Sequence, residues 1–226
     1  MDELDLTGRW ILRQETATLS RVAVVGRVRT VTRSWVLYDL THQGERLFGS
    51  GRLLDIQVAQ GASPVTIRFP EAFRQAMPPS RLDATLRREA QRLRLIQPRA
   101  WTVLGARLTD PIREPLPQEA SDPRVWDQDG DGHPGVTIEI EGMVRGRVYV
   151  AQRSWSELDG ERSGPDRFTG RVRFGEEQVI LGASSRFLKK APKNTPDPTN
   201  SRFVLLRVAD DATDREALAA LERGAG

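Results

Sequence analysis

The chain has 226 residues, 38% of them hydrophobic, with 34 Lys+Arg against 31 Asp+Glu and a net charge of +3; this is enough for one large β domain or two small ones. The absence of cysteine excludes disulfides, thiolate metal sites and cysteine nucleophiles together. Nearly all the cations are arginines interleaved with acids, only Lys189, Lys190 and Lys193 being lysines, so the basic stripe of a nucleic-acid binder is missing.

Residues 1–108 form the first of two related halves. Near its start, Thr7-Gly8-Arg9-Trp10 resembles the G-x-W of the first lipocalin strand. The resemblance spans three residues. It implies a barrel whose floor is closed by Trp10, an arginine of the last strand (Arg202 or Arg207) packed on the indole, and an interior suited to an apolar ligand.

Val22, Val24, Gly26 and Val28 then alternate with polar residues, the period-two pattern of a half-buried strand. The apolar phase shifts near Thr30–Trp35, which predicts a bulge. A turn at His42-Gln43-Gly44 and a returning strand near 46–58 complete a long hairpin, and Val65–Phe69 adds a short strand. Residues 80–95 fit two elements. Ser80 precedes Asp83 by three, and Leu82, Leu86, Ala90 and Leu93 have helical spacing, whereas Leu93 and Leu95 alternate with arginines as in a hairpin. Trp101–Leu108 reads as a strand.

Residues 109–135 are rich in proline and acid and form a long connection, which is expected to be functional or disordered. It carries Asp127-Gln128-Asp129-Gly130-Asp131-Gly132. Calcium is a hard cation that takes roughly six to eight oxygen ligands, and a loop with carboxylates at positions one, three and five and glycine at six supplies them from one bend. The segment resembles the ion-binding loops of EF-hand, dockerin and thrombospondin type 3 modules over about a dozen residues. The resemblance implies a backbone carbonyl from His133 at position seven and a bidentate glutamate at position twelve, where this chain has Ile138. Alternation puts Thr137, Glu139 and Glu141 on one face of the following strand, and Glu139, the nearest acid, is the expected closing ligand, with Asp122 as a second candidate. The alternatives are a solvated acidic turn and Mg²⁺. One imidazole among hard carboxylates is a poor zinc set, so the His133 side chain is read as a surface group.

Residues 136–208 repeat the first half. Gly26-Arg27-Val28 followed by Arg33-Ser34-Trp35 recurs about 120 residues later as Gly146-Arg147-Val148 followed by Arg153-Ser154-Trp155. Phe48 with Gly51-Arg52-Leu53 recurs as Phe168 with Gly170-Arg171-Val172. A second hairpin is expected, with its turn at Leu158-Asp159-Gly160 and its return over 167–181. In each copy arginine and tryptophan at i and i+2 share a strand face. The pairs Arg33/Trp35 and Arg153/Trp155 read either as arginine stacked on tryptophan within the fold or as pockets gripping an anion or a sugar ring. Lys189–Asn200 reads as an exposed stretch, Ser201–Val208 as a last strand, and 209–226 as a short helix or tail.

The expected fold is mainly β: an internally duplicated antiparallel barrel, or two adjoining half-barrels, with an ion-stabilised connecting loop. The expected role is a non-enzymatic, calcium-binding protein of the bacterial envelope or secreted space that binds a small ligand or a partner protein, and not nucleic acid. The compartment follows from the abundance of free Ca²⁺ outside the cytosol. No leader-type apolar run opens this chain, no segment reaches the ~20 apolar residues of a membrane-spanning helix, and no nucleophile elbow, P-loop, dinucleotide fingerprint or HExxH occurs. A carbohydrate-active or other hydrolase working at the barrel mouth and a structural assembly subunit are the competing roles. No motif encodes the ligand or the oligomeric state.

Overall fold

Period-two alternation becomes strand almost throughout. A computed structural model describes residues 4–22, 26–61, 65–189 and 194–223. The strands are β1 (Gly8–Val22), β2 (Gly26–Gln43), β3 (Arg46–Gln60), β4 (Val65–Arg68), β5 (Ser80–Glu89), β6 (Arg92–Leu104), β7 (Val136–Gly142), β8 (Gly146–Gly164), β9 (Arg167–Ala183), β10 (Asn194–Pro196) and β11 (Arg202–Arg207). Two helices, α1 (Glu71–Gln75) and α2 (Asp214–Arg223), complete the set, and no helix among the described residues is long and apolar enough to cross a membrane.

All strands belong to one antiparallel sheet. Eight of them close into a ring in the order β1-β2-β3-β5-β6-β8-β9-β11, with β11 returning to β1. The two halves interlock: β1 pairs β11, β6 pairs β8, and β4 pairs β7. One edge of β8 is shared, by β7 from Gly146 to Val150 and by β6 from Gln152 to Glu161. The β7–β4 pair therefore leaves the ring as a flap.

Alternate residues fill the ring. Trp10 and Leu12 of β1, Val36, Tyr38 and Leu40 of β2, Leu82 and Leu86 of β5, Leu158 of β8, Phe168 of β9, and Phe203 and Leu205 of β11 form one buried cluster. Trp10 packs on Phe168 at a centroid distance of 6.0 Å and donates its indole N–H to the Leu6 carbonyl at 2.9 Å. Among the described residues no arginine stacks on it. Arg202 faces Glu15 instead, and Arg207 donates to the carbonyls of Asp5 and Thr7. A second core under the flap joins Phe73, Leu104, Val136, Ile138, Val148 and Val150. On the outside, α2 covers Ile11, Leu37 and Val204 with Ala217 and Leu221.

Two expectations are corrected and two are made definite. Residues 80–95 are the β5–β6 hairpin, because Leu82, Ala84 and Leu86 point inward in turn while β3 and β6 satisfy both edges of β5; Ala90 takes the turn at φ +54°. Leu158–Gly160 lies within β8, which turns only after Gly164. Gly160 is there for close approach, since a Cβ on it would lie 2.5 Å from the Thr169 carbonyl oxygen and 2.6 Å from Phe203. The bulge near Trp35 is carried by β3, where Leu54 is the extra residue between Leu53 and Asp55. The single strand expected through Val22, Val24, Gly26 and Val28 is also corrected: Val22 ends β1 and pairs across to Gly26, which begins β2 with Val28, while Val24 lies outside the described residues.

Candidate metal centre

The aspartate loop is hung on the end of β6. Gly105 (φ +70°) and Gly135 (φ +88°) back onto β8 so closely that a Cβ on either would lie 2.4 Å or 2.2 Å from the Val150 carbonyl oxygen. Between them the backbone is tied by an Ala106–Val125 bridge, a Trp126 N–H to Gly105 carbonyl bond (3.3 Å) and a Gln128 N–H to Gly135 carbonyl bond (3.0 Å). Gln128 is the internal anchor. Its Oε1 accepts from the Gly105 N–H at 2.8 Å and its Nε2 donates to the Ala76 carbonyl at 2.8 Å. With Gln128 facing the body, Asp127 and Asp129 face the other way, and Gly130 and Gly132, both at positive φ, bend Asp131 back towards them. Leu116, 1% exposed, packs the rest of the connection onto Ala106 and Ala151.

The three carboxylates converge. Asp127, Asp129 and Asp131 each offer an oxygen within 4.8 Å of the others. Asp127 closes the bend by accepting from the N–H groups of Asp131 (3.1 Å) and Gly132 (2.8 Å). Thr137 secures the other two, donating its N–H to Asp129 Oδ2 at 2.8 Å and its hydroxyl to Asp131 Oδ2 at 2.7 Å. Asp129 Oδ1 is buried and has no hydrogen-bond partner. Burial, and then the charges of Asp131 and Asp127, push the Asp129 carboxyl above its usual range, against the Thr137 N–H, which lowers it. A hard, partly desolvated oxygen set of this kind could hold a divalent cation.

Of the remaining predicted ligands, the two acids Glu139 and Asp122 lie apart from the trio, and His133 was expected to contribute only its backbone carbonyl. The His133 imidazole stacks on Tyr149 (centroids 4.0 Å apart) with its Nε2 3.2 Å from the tyrosine hydroxyl, so only its backbone is left to face the loop. Glu139 sits across from Arg147, 3.4 Å from its Nε, and is not among the converging acids. Asp122 is chelated by Arg124, which holds its carboxyl down at about 2. Sequence reasoning missed Thr137 and Gln128. The signal for Thr137 was present, since it is the polar-face residue of β7 nearest the loop.

The two Arg–Trp pairs occupy matching places on β2 and β8 and differ in their surroundings. Neither arginine stacks on its own tryptophan among the described residues. Residues i and i+2 are spaced along a strand, and the closer neighbour lies across it: Trp155 carries Arg99 at 3.7 Å, and Arg153 lies 6.0 Å from Trp101. Arg153 also donates to the carbonyls of Pro111, Ile112 and Glu114 and pairs with Glu177, which pins the connection to the ring. Arg33 and Trp35 instead line an open cavity of about 760 Å³ on the outer face beside α2. Comparison of the chain with protein-family models, with curated proteins and with solved structures finds no match.

Proposed function

We propose that this is a non-enzymatic calcium-binding β protein in which Ca²⁺ holds the 105–137 segment against the ring while the outer faces of the ring serve ligand or partner binding. The observation that carries the reading is Asp129 Oδ1, a buried oxygen without a partner on one of three converging carboxylates. Leaving such an oxygen unpaired is costly, and a cation offsets both the lost hydration and the mutual repulsion. The donor set is all oxygen, which favours Ca²⁺ over transition metals, and the flexible ligand number of Ca²⁺ suits a loop that adds backbone carbonyls and water to three side chains. Millimolar calcium outside the cytosol makes the envelope or secreted space the compartment in which this site would be filled. The ring interior is packed with Trp10, Phe168, Phe203 and leucines, which speaks against a catalytic cleft inside it.

The test is calorimetric titration of chelator-treated protein with CaCl₂ and with MgCl₂, alongside melting curves in excess EDTA and in millimolar CaCl₂. A saturable calcium isotherm of about one ion per chain, a higher Tm in calcium and a weaker response to magnesium are expected. Coincident melting curves with no heat of calcium binding would overturn the reading.

A further inference from the structure

We propose that the outer face of the ring beside α2 is a binding site for a small-molecule oxyanion, a carboxylate or phosphate compound, gripped by Arg33, Arg202 and Arg13. The site is independent of the calcium loop and lies on other strands.

Three neighbouring strands build it. The register sets Glu15 of β1 opposite Arg33 of β2 on one side and opposite Arg202 of β11 on the other, with Arg13 two residues along on the same face. Glu15 is the one buried carboxylate among the described residues, 6% exposed. Three guanidiniums crowd it. Arg202 Nε donates to it at 2.9 Å, Arg33 Nε stands 3.4 Å away, and Arg13 Nε stands 3.5 Å away. Arg13 Nε is buried and makes no hydrogen bond. Three positive charges thus share one negative charge, and roughly fifteen N–H donors face the few lone pairs of a single carboxylate. The cluster is short of acceptors and carries excess positive charge. The cavity of about 760 Å³ that opens on it falls within the usual range for small-ligand pockets, and Trp35 gives it an apolar wall. Of the two other acids on its lining, Asp55 is 3.4 Å from Arg74 and accepts from the Ile56 N–H, and Glu222 belongs to α2.

The second copy shows what satisfies such an arginine. Arg153, the counterpart of Arg33, spends its guanidinium on three carbonyl oxygens of the 111–114 turn and on Glu177, its cross-strand neighbour. In the first copy the neighbour on the following strand is the neutral Gln57, and Arg33 lines the open cavity. Four acceptor groups of its own chain serve Arg153, whereas Arg33 shares the single carboxylate of Glu15 with Arg13 and Arg202 and turns its remaining donors to the cavity, where an oxyanion would supply the further acceptors and charge. Guanidinium forks bind carboxylate and phosphate with charge-assisted, often bidentate hydrogen bonds.

The test is calorimetric titration of the whole, calcium-depleted chain with glutarate in one arm and inorganic phosphate in the other, which separates a carboxylate from a phosphate preference. Saturable, salt-sensitive binding of at least one probe below about 10 mM is expected. Arg33→Gln and Arg202→Gln should each weaken it about tenfold or more, while Glu15→Gln, which removes the internal competitor, should tighten it. Circular dichroism confirms that each variant retains its β signal; if Glu15→Gln does not fold, the two arginine variants decide. No binding of either probe, or binding that both arginine variants leave unchanged, overturns the proposal. Because calcium binding is read separately, either result leaves the reading of the aspartate loop standing or falling by itself.

Discussion

Asp129→Asn separates a cation site from a solvated turn by the sign of its effect. In the structure Asp129 Oδ2 accepts from the Thr137 N–H at 2.8 Å, a bond that an amide oxygen keeps. Oδ1 has no partner, and the carboxylates of Asp127 and Asp131 lie within 4.8 Å. Two unit charges that far apart repel by about 1 kcal/mol in water and about 3.5 kcal/mol at an effective dielectric near 20. Asparagine removes both repulsions that Asp129 feels and offers an N–H₂ group where the unpaired oxygen was. Without calcium the variant should therefore be more stable than the parent by about 1–3 kcal/mol, or ~2–10 °C in Tm for a chain of this size. With calcium at a hundred times its Kd the parent gains about 2.7 kcal/mol by mass action. The variant, short of one anionic ligand, gains little, so calcium closes the gap between the melting temperatures and reverses their order wherever the calcium-free difference is below about 2.7 kcal/mol. Differential scanning fluorimetry of both proteins in EDTA and in CaCl₂ reads all four values. A variant that melts at or below the parent in EDTA, with no separation in calcium, would refute the reasoning, because it would mean the trio neither repels nor binds.

Other perturbations probe the frame. Gly170→Ala would place a Cβ 2.2 Å from the Asp159 carbonyl oxygen and 2.3 Å from the Gly160 Cα, backbone that cannot step aside, so a loss of about 1–3 kcal/mol or more is expected in urea melts. Leu116→Ala empties the small core under the connection and should cost about 2–5 kcal/mol if that segment melts with the ring; limited proteolysis that cuts within 109–135 before any cut in the ring would show instead that it melts separately. Asp122 should titrate at about 2 by carboxyl NMR, because Arg124 stabilises its charged form. That bond favours the fold above the ordinary carboxylate range, and the contribution is lost as pH falls through about 2. Arg124→Gln should raise the midpoint towards the ordinary carboxylate value without reaching it, because the backbone N–H of residue 124 still donates to Asp122 Oδ1.

Several elements were legible because they rest on local chemistry. The Gly44 turn with its returning strand and the helical C-terminal segment each follow from neighbours a few residues apart. The repeated Arg-Ser-Trp falls at matching points of two long strands, each followed by a return strand, as the shared spacing implied. The aspartate trio converges because glycine at positions four and six allows positive φ, which is also local. The open choice at 80–95 and the misplaced turn at Gly160 came from features that look alike along the chain. Leu82, Leu86, Ala90 and Leu93 suit a helix until β3 and β6 arrive to pair both edges. Gly160 suits a turn until Phe203 comes from β11 to press against it.

By itself, the sequence determined that the chain would be mainly β and that one loop would gather three carboxylates, since strand period, turn residues and a five-residue span are properties of adjacent residues. Only the tertiary structure decided which strands close the ring, that Glu139 meets Arg147, and that Glu15 collects arginines from β1, β2 and β11. The Glu15–Arg202 contact joins residues 187 positions apart, and cross-strand register, set by where a whole ring can close over a filled interior, has no signature in any short stretch of chain.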